Sequence, residues 1–180
     1  MLERYKERYK SWSNIKKKAE GLICDSLQQR ITYFYTSYHD VHDAYGRAAI
    51  RLDGKELVCF SWIERYRQGQ DISAFRNDDP EIKYKDTNEK LQAICKKHKP
   101  TWDTNCTYCE SDFIAAVQRF FHLPIEDALS DDDFIIRILS ILNRRTGKRT
   151  VKRIKESGEY LDYPDWVQPF YRLRFDVEAI

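Results

Sequence analysis

Residues 48–62, AAIRLDGKELVCFSW, decide the fold class. Two short apolar runs, Ala48 to Leu52 and Leu57 to Trp62, flank Asp53-Gly54. That dipeptide is favoured where a two-residue turn needs positive φ at both of its central positions, so the two runs pair as an antiparallel hairpin. Just upstream, Ile31 to Tyr38 (ITYFYTSY) is almost wholly β-branched and aromatic, the composition of a third strand. The polar segment His39 to Arg47 joins it to the hairpin as a longer loop. A three-stranded meander follows, with Tyr33, Tyr35 and Tyr38 either in the core or on a Tyr-rich exposed edge.

Helical periodicity occupies the rest. Ile15, Ala19, Leu22, Ile23 and Leu27 recur at three- and four-residue spacing and predict one amphipathic helix over residues 13–30. A polar stretch from Arg65 to Lys85 reads as surface loop, followed by helical spacing at Leu91, Ile94 and Cys95. Phe113, Ile114, Val117, Phe120 and Phe121 define a helix capped by Ser111, and Leu123-Pro124 ends it. After one turn at Ile125 to Leu129, Asp131, Asp132 and Asp133 supply negative charge for the next helix, whose stripe is Phe134, Ile135, Ile138, Leu139, Ile141 and Leu142, with Thr146-Gly147 as its stop. A basic helix from Arg149 to Lys155 and a last one opened by Pro164 complete the chain. Strands followed by helices give an α+β fold: a small antiparallel sheet, a β-meander with an Asp-Gly hairpin, packed by four to six helices.

The composition bounds the function classes. At 180 residues, 42% hydrophobic and 14% aromatic, the chain has enough apolar surface for one domain spanning residues 1–180. No apolar run approaches the ~20 residues of a bilayer helix, and the charged start MLERYKERYK lacks a signal-peptide core, so the expected setting is the cytoplasm with no membrane partner. A formal charge of +2 offers no global pull on nucleic acid. Neither a Gly-rich phosphate cradle nor a G-x-S-x-G elbow occurs, so nucleotide-dependent and α/β-hydrolase chemistry lose their usual support.

Four blocks carry a resemblance: WSNIKK with CDSLQQR (Trp12 to Arg30), HDAYGRAAIRLDGKE (His42 to Glu56), DALSDDDFIIRILSILNRRTGKR (Asp127 to Arg149) and PFYRLRFDVEAI (Pro169 to Ile180). In these the chain resembles an uncharacterised family of small soluble bacterial proteins of unknown function. The resemblance covers most of the chain outside residues 62–108. It implies bacterial origin and a helix, hairpin, helix layout, and no mechanism.

Three constellations could carry chemistry. Cys95-x-x-His98 and, after seven residues, Cys106-x-x-Cys109 have the pairwise spacing of a tetrahedral zinc site. Four protein ligands would make such a zinc structural, and it is the one cofactor the sequence admits. The opposing reading puts Cys95 on a buried helical face and leaves Cys106 and Cys109 as ordinary thiols. His39-Asp40 and His42-Asp43 set two imidazoles three residues apart, each followed by a carboxylate, so His39, His42 and Asp43 could act as acid, base or metal ligands. The bland alternative is a polar interstrand loop. Finally, Arg144, Arg145, Lys148, Arg149, Lys152 and Arg153 form a basic cluster, and Glu126, Asp127, Asp131, Asp132 and Asp133 an acidic one. Either could dock a partner, although helix-dipole complementarity accounts for similar patterns.

The leading expectation is a non-enzymatic protein-binding protein, in its most concrete form an immunity protein neutralising a cognate toxin. Its contact residues would be Glu126, Asp127, Asp131, Asp132, Asp133, Arg144, Arg145 and Arg149. The alternative is a nucleic-acid-binding or metal-dependent hydrolytic protein using the His39/His42 loop and the Arg144 to Arg153 cluster.

Overall fold

The computed structural model describes residues 12–36, 46–61 and 108–180. Its sheet has β1 (Ile31–Thr36), β2 (Arg47–Leu52) and β3 (Lys55–Ser61) in sequential antiparallel order. The expected hairpin is present: Leu52 pairs with Lys55, and Asp53 and Gly54 have φ of 50° and 82°. The turn is tied to β1 by Asp53 N–H donating to the Arg30 carbonyl and by the exposed Arg30–Asp53 ion pair at 2.8 Å. Alternation then sorts the side chains, with Ile31, Tyr33, Ala48, Ile50, Val58 and Phe60 all buried.

One irregularity shapes the other face. Val58 pairs with Ile50 but Glu56 pairs with Arg51, so Leu57 is an extra residue in β3, a β-bulge. The bulge returns Glu56 to the face of Arg51 and Arg47, which both donate to its carboxylate. Arg51 lies over the Phe34 ring at 4.1 Å, and Arg47 also donates to Cys59 Sγ at 3.2 Å. Burial pushes the Glu56 carboxyl up, and the hydrogen bonds from Arg51 and Arg47 outweigh it, so the net shift is downward.

Six helices are found among the described residues: α1 (12–20), α2 (Glu110–Phe120), α3 (Ile125–Leu129), α4 (Phe134–Ile141), α5 (Lys148–Ser157) and α6 (Gln168–Val177). Phe113 of α2 is the hub of their packing on the sheet. It stacks on Phe60 with centroids 5.0 Å apart and meets Tyr33 and Trp12 at 6.0 and 6.1 Å. Helix α4 is buried nearly all round, through Ile135, Ile136, Ile138, Leu139, Ser140 and Ile141, so its stripe is wider than an amphipathic pattern requires. Tyr33 is core and Tyr35 packs against Trp12, which resolves two of the three sheet tyrosines toward the interior. Tyr38 is outside the described residues.

Four local expectations need correction. The helix predicted over 13–30 ends at Glu20; the chain turns at Gly21, and Ile23 forms a β-bridge with Asn143 before a 3-10 turn at Asp25–Leu27. Cys24 N–H donates to the Leu142 carbonyl at 2.9 Å and Arg144 N–H to the Leu22 carbonyl at 2.8 Å. The same bridge ends α4 at Ile141, well before Thr146-Gly147, and Gly147 instead precedes α5 as its N-cap. Helix α2 is capped by Cys109 rather than Ser111, because Asp112 accepts from Cys109 N–H at 2.8 Å. The last helix starts at Gln168, not Pro164: Gln168 Nε2 donates back to the Leu161 and Tyr163 carbonyls, and Pro169 falls in the first turn, where a missing N–H costs little.

Candidate functional site

Helix α3, the α4–α5 connection, α5 and the chain after it enclose a cleft of about 390 Å³. Ile125 and Leu129 on α3 and Ile154 on α5 give it apolar walls, with Tyr163 and Tyr171 behind them. Local sequence builds each side. Pro124 sets the entry to α3, and the Asp133 carboxylate accepts from Ile135 N–H at 2.9 Å to start α4. Burial pushes the Asp133 carboxyl up, against this bond and the charge of Arg119. On the far side, Arg174 of α6 is 3% exposed and donates to the Thr146 carbonyl at 3.0 Å, fixing the α4–α5 connection. It pairs with Glu178 at 3.1 Å, and Lys148 reaches the other Glu178 oxygen at 3.2 Å.

Most polar groups around the cleft already have partners. Ser130 Oγ donates to the Glu126 and Asp127 carbonyls, Ser157 Oγ to the Ile154 carbonyl, and Thr146 Oγ1 to the Ser140 carbonyl. Arg145 donates to Asn143 Oδ1 and the Leu123 carbonyl and covers the Phe120 ring at 5.2 Å. Glu159 accepts from the Tyr163 hydroxyl at 2.9 Å, and burial with that bond raises the Tyr163 pKa. Tyr171 is the most enclosed: it is 1% exposed, its hydroxyl is sealed from solvent close to that of Tyr163, and burial pushes its pKa far upward.

The arginines divide in the same way. Among the described residues Arg30, Arg47, Arg51, Arg119, Arg137, Arg145, Arg172 and Arg174 each bond a carboxylate, a carbonyl or a side-chain amide. Arg144, Arg149 and Arg153 are exposed and have no such bond. All three sit on the α4–α5 connection and α5, next to Lys148 and Lys152, which pair with Glu178 and Glu156.

The predicted contact residues therefore separate. Glu126 and Arg145 line the cleft together. Asp127 is exposed on α3. Asp131, Asp132 and Asp133 lie at an open depression of about 500 Å³ with Tyr108, Arg119 and Ser130. There Asp131 pairs with Arg119 and accepts from Asp133 N–H at 2.9 Å, so much of this acidic run is engaged in starting α4. Arg144 and Arg149 form the free basic rim. His39, His42, Asp43, Cys95, His98 and Cys106 fall outside the described residues. Cys109 is buried, and its thiol donates to Asp112 Oδ2 at 3.1 Å. No group of three or more metal-ligating side chains occurs among the described residues.

Sequence reasoning missed Tyr163 and Tyr171 at the cleft and underrated Arg153. Arg153 was visible in the basic run, but nothing local distinguishes it from its neighbours. The tyrosines come from a segment whose path depends on the late start of α6.

Fold and cleft together define an α+β protein with a mixed-charge helical face, and no helix among the described residues is long and apolar enough to cross a membrane. The chain belongs to the SF0329 protein family, which it matches over residues 11–175. The match runs through residues 62–108, which the resemblance left aside, and takes in the last block as far as Phe175. No curated protein and no solved structure matches the chain.

Proposed function

We propose that this is a non-enzymatic protein that works by binding another protein through the α3, α4–α5 and α5 face, and in its most specific form an immunity protein that neutralises a cognate toxin. The observation that carries the proposal is the segregation of the arginines: among the described residues the three without partners, Arg144, Arg149 and Arg153, are all exposed on the α4–α5 connection and α5, and Arg153 lines the same cleft as the Glu126 carboxylate. Arginine is over-represented among interface hot spots, and rims of mixed charge steer and orient a partner. The proposed partner presents an acidic patch to Arg144 and Arg149.

The test is co-purification from the native host with the neighbouring genes intact, using the wild-type chain and the Arg144→Glu/Arg149→Glu variant. A stoichiometric protein that is recovered by the wild type and lost from a folded variant is the expected result. Recovery of no such protein, or equal recovery by both chains, would overturn the proposal. The same arginines are the support for a second reading, nucleic-acid binding. Salt-dependent retention of RNA or DNA, abolished by the same variant, would replace the first reading with the second.

A further inference from the structure

Among the described residues one large apolar side chain stands out in solvent: Leu161, 55% exposed, in the 3-10 turn Glu159–Asp162 that follows α5. The backbone of this turn is tied down. Gly158 ends α5 in the left-handed region, Leu161 N–H donates to the Gly158 carbonyl at 2.9 Å, and the Leu161 carbonyl accepts from Gln168 Nε2 at 3.1 Å. The leucine is thus displayed on a pre-ordered turn, and a contact made through it has little backbone left to order. A lone exposed leucine is ordinary on a protein surface, and what gives this one meaning is its neighbour. Glu159 and Tyr163, two residues to either side of it, line the cleft, whose apolar walls at Ile125, Leu129 and Ile154 are only half-buried. An apolar knob and an apolar hole stand side by side on one chain.

Charge gives their pairing a direction. Asp162, beside Leu161, and Arg153, at the cleft, are exposed, and neither pairs with another described residue. Arg145 is held by Asn143 and the Leu123 carbonyl, and Glu159 by the Tyr163 hydroxyl, which leaves Glu126 as the other free charge, on the α3 wall. We infer that a second copy of this chain occupies the cleft: two chains related by a twofold axis each insert Leu161 against Ile125, Leu129 and Ile154 of the other, with Asp162 of one paired to Arg153 of the other. Such an isologous contact uses one patch twice and closes at two subunits. Glu126 repels Asp162 from the α3 side, so the charges fix which way the knob enters. A contact centred on one leucine per chain is small beside stable interfaces, so the dimer forms in the micromolar-to-millimolar range. The inference goes beyond partner binding at Arg144 and Arg149 and does not depend on it.

Sedimentation equilibrium of the full chain, from micromolar to millimolar concentration, tests it. The mass is expected to rise to twice the chain mass of 21.6 kDa and stop there. Leu161→Asp, at an exposed position and so with an unchanged thermal midpoint, should weaken the dimer by about a hundredfold or more, since two leucines leave the interface at once. Arg153→Asp and Asp162→Arg should each weaken it, and the chain carrying both should regain it. Leu161→Asp and Ile125→Lys, each monomeric alone, should associate when mixed, because residue 161 of one chain meets residue 125 of the other. A wild-type chain that stays monomeric at millimolar concentration, leaving the cleft to a different protein, would overturn the inference, as would a mass that keeps growing past two chains or a dimer untouched by Leu161→Asp.

Discussion

Replacing Arg174 by leucine probes the buried pair that anchors α6. The guanidinium is 3% exposed, bonds Glu178 at 3.1 Å and the Thr146 carbonyl at 3.0 Å, and leaves its Nε and Nη1 donors without partners. Removing one member of a buried pair costs ~3–5 kcal/mol, because the remaining charge is stranded. Two features pull the value down. Lys148 still reaches Glu178 from solvent, and the two unpartnered Arg174 donors already carry a penalty that leucine relieves. A loss of about 3 kcal/mol is expected, which lowers the thermal midpoint by roughly 6–12 °C for a chain of this size. The double variant Arg174→Leu/Glu178→Leu strands no charge and should recover at least ~1.5 kcal/mol, so the two substitutions are strongly coupled. Urea unfolding of the four proteins at constant slope measures the coupling. If the single variant loses under about 1 kcal/mol, or the double loses the sum of the singles, the pair does not anchor α6 in the way described.

Three further outcomes are expected. Gly54→Ala meets no atom within 4 Å but must hold φ at 82°, costing ~1–2 kcal/mol, whereas Gly46→Ala places its Cβ 2.6 Å from Glu110 Cγ and 2.9 Å from the Thr36 carbonyl. Chemical denaturation should rank Gly46→Ala as the more damaging, and the reverse order would contradict the close approach at that residue. Because the folded-state pKa of Glu56 is depressed, its contribution is present above the unfolded value and lost as pH falls through the folded one. Glu56→Gln should therefore flatten the acid limb of a stability–pH curve below about pH 4, and an unchanged limb would contradict that linkage. Asp133→Ala should cost ~1 kcal/mol by calorimetry and Asp133→Asn much less, since an amide oxygen can still accept from Ile135 N–H; equal losses would deny the cap.

How much of this was legible in the residues depended on the range of the deciding interaction. The hairpin was legible because its turn is decided by two adjacent residues, and the Pro124 and Asp133 boundaries were local as well. The first helix was overextended because its end is set by the Ile23–Asn143 bridge, a partner more than a hundred residues distant. That bridge also shortened α4, so one unseen contact produced two errors. The start of α6 was misplaced because Gln168 bonds backwards to carbonyls, which no proline or apolar spacing announces. At the candidate site, the charge runs include Glu126 and Arg145, which line the cleft. They could not show that Asp131 would pair with Arg119 or that Tyr171 would be enclosed behind the cleft. Those outcomes depend on which surfaces the packed helices leave open.

The carboxylate of Glu20 accepts from the Tyr33 backbone N–H at 3.0 Å, placing a charged side chain of α1 against the outer edge of β1. A bare strand edge is a template for a neighbouring molecule's backbone. Helix α1 thus shields the β1 edge while its Ala19 and Trp12 complete the core, so nicking near Gly21 would open the strand edge and the core together.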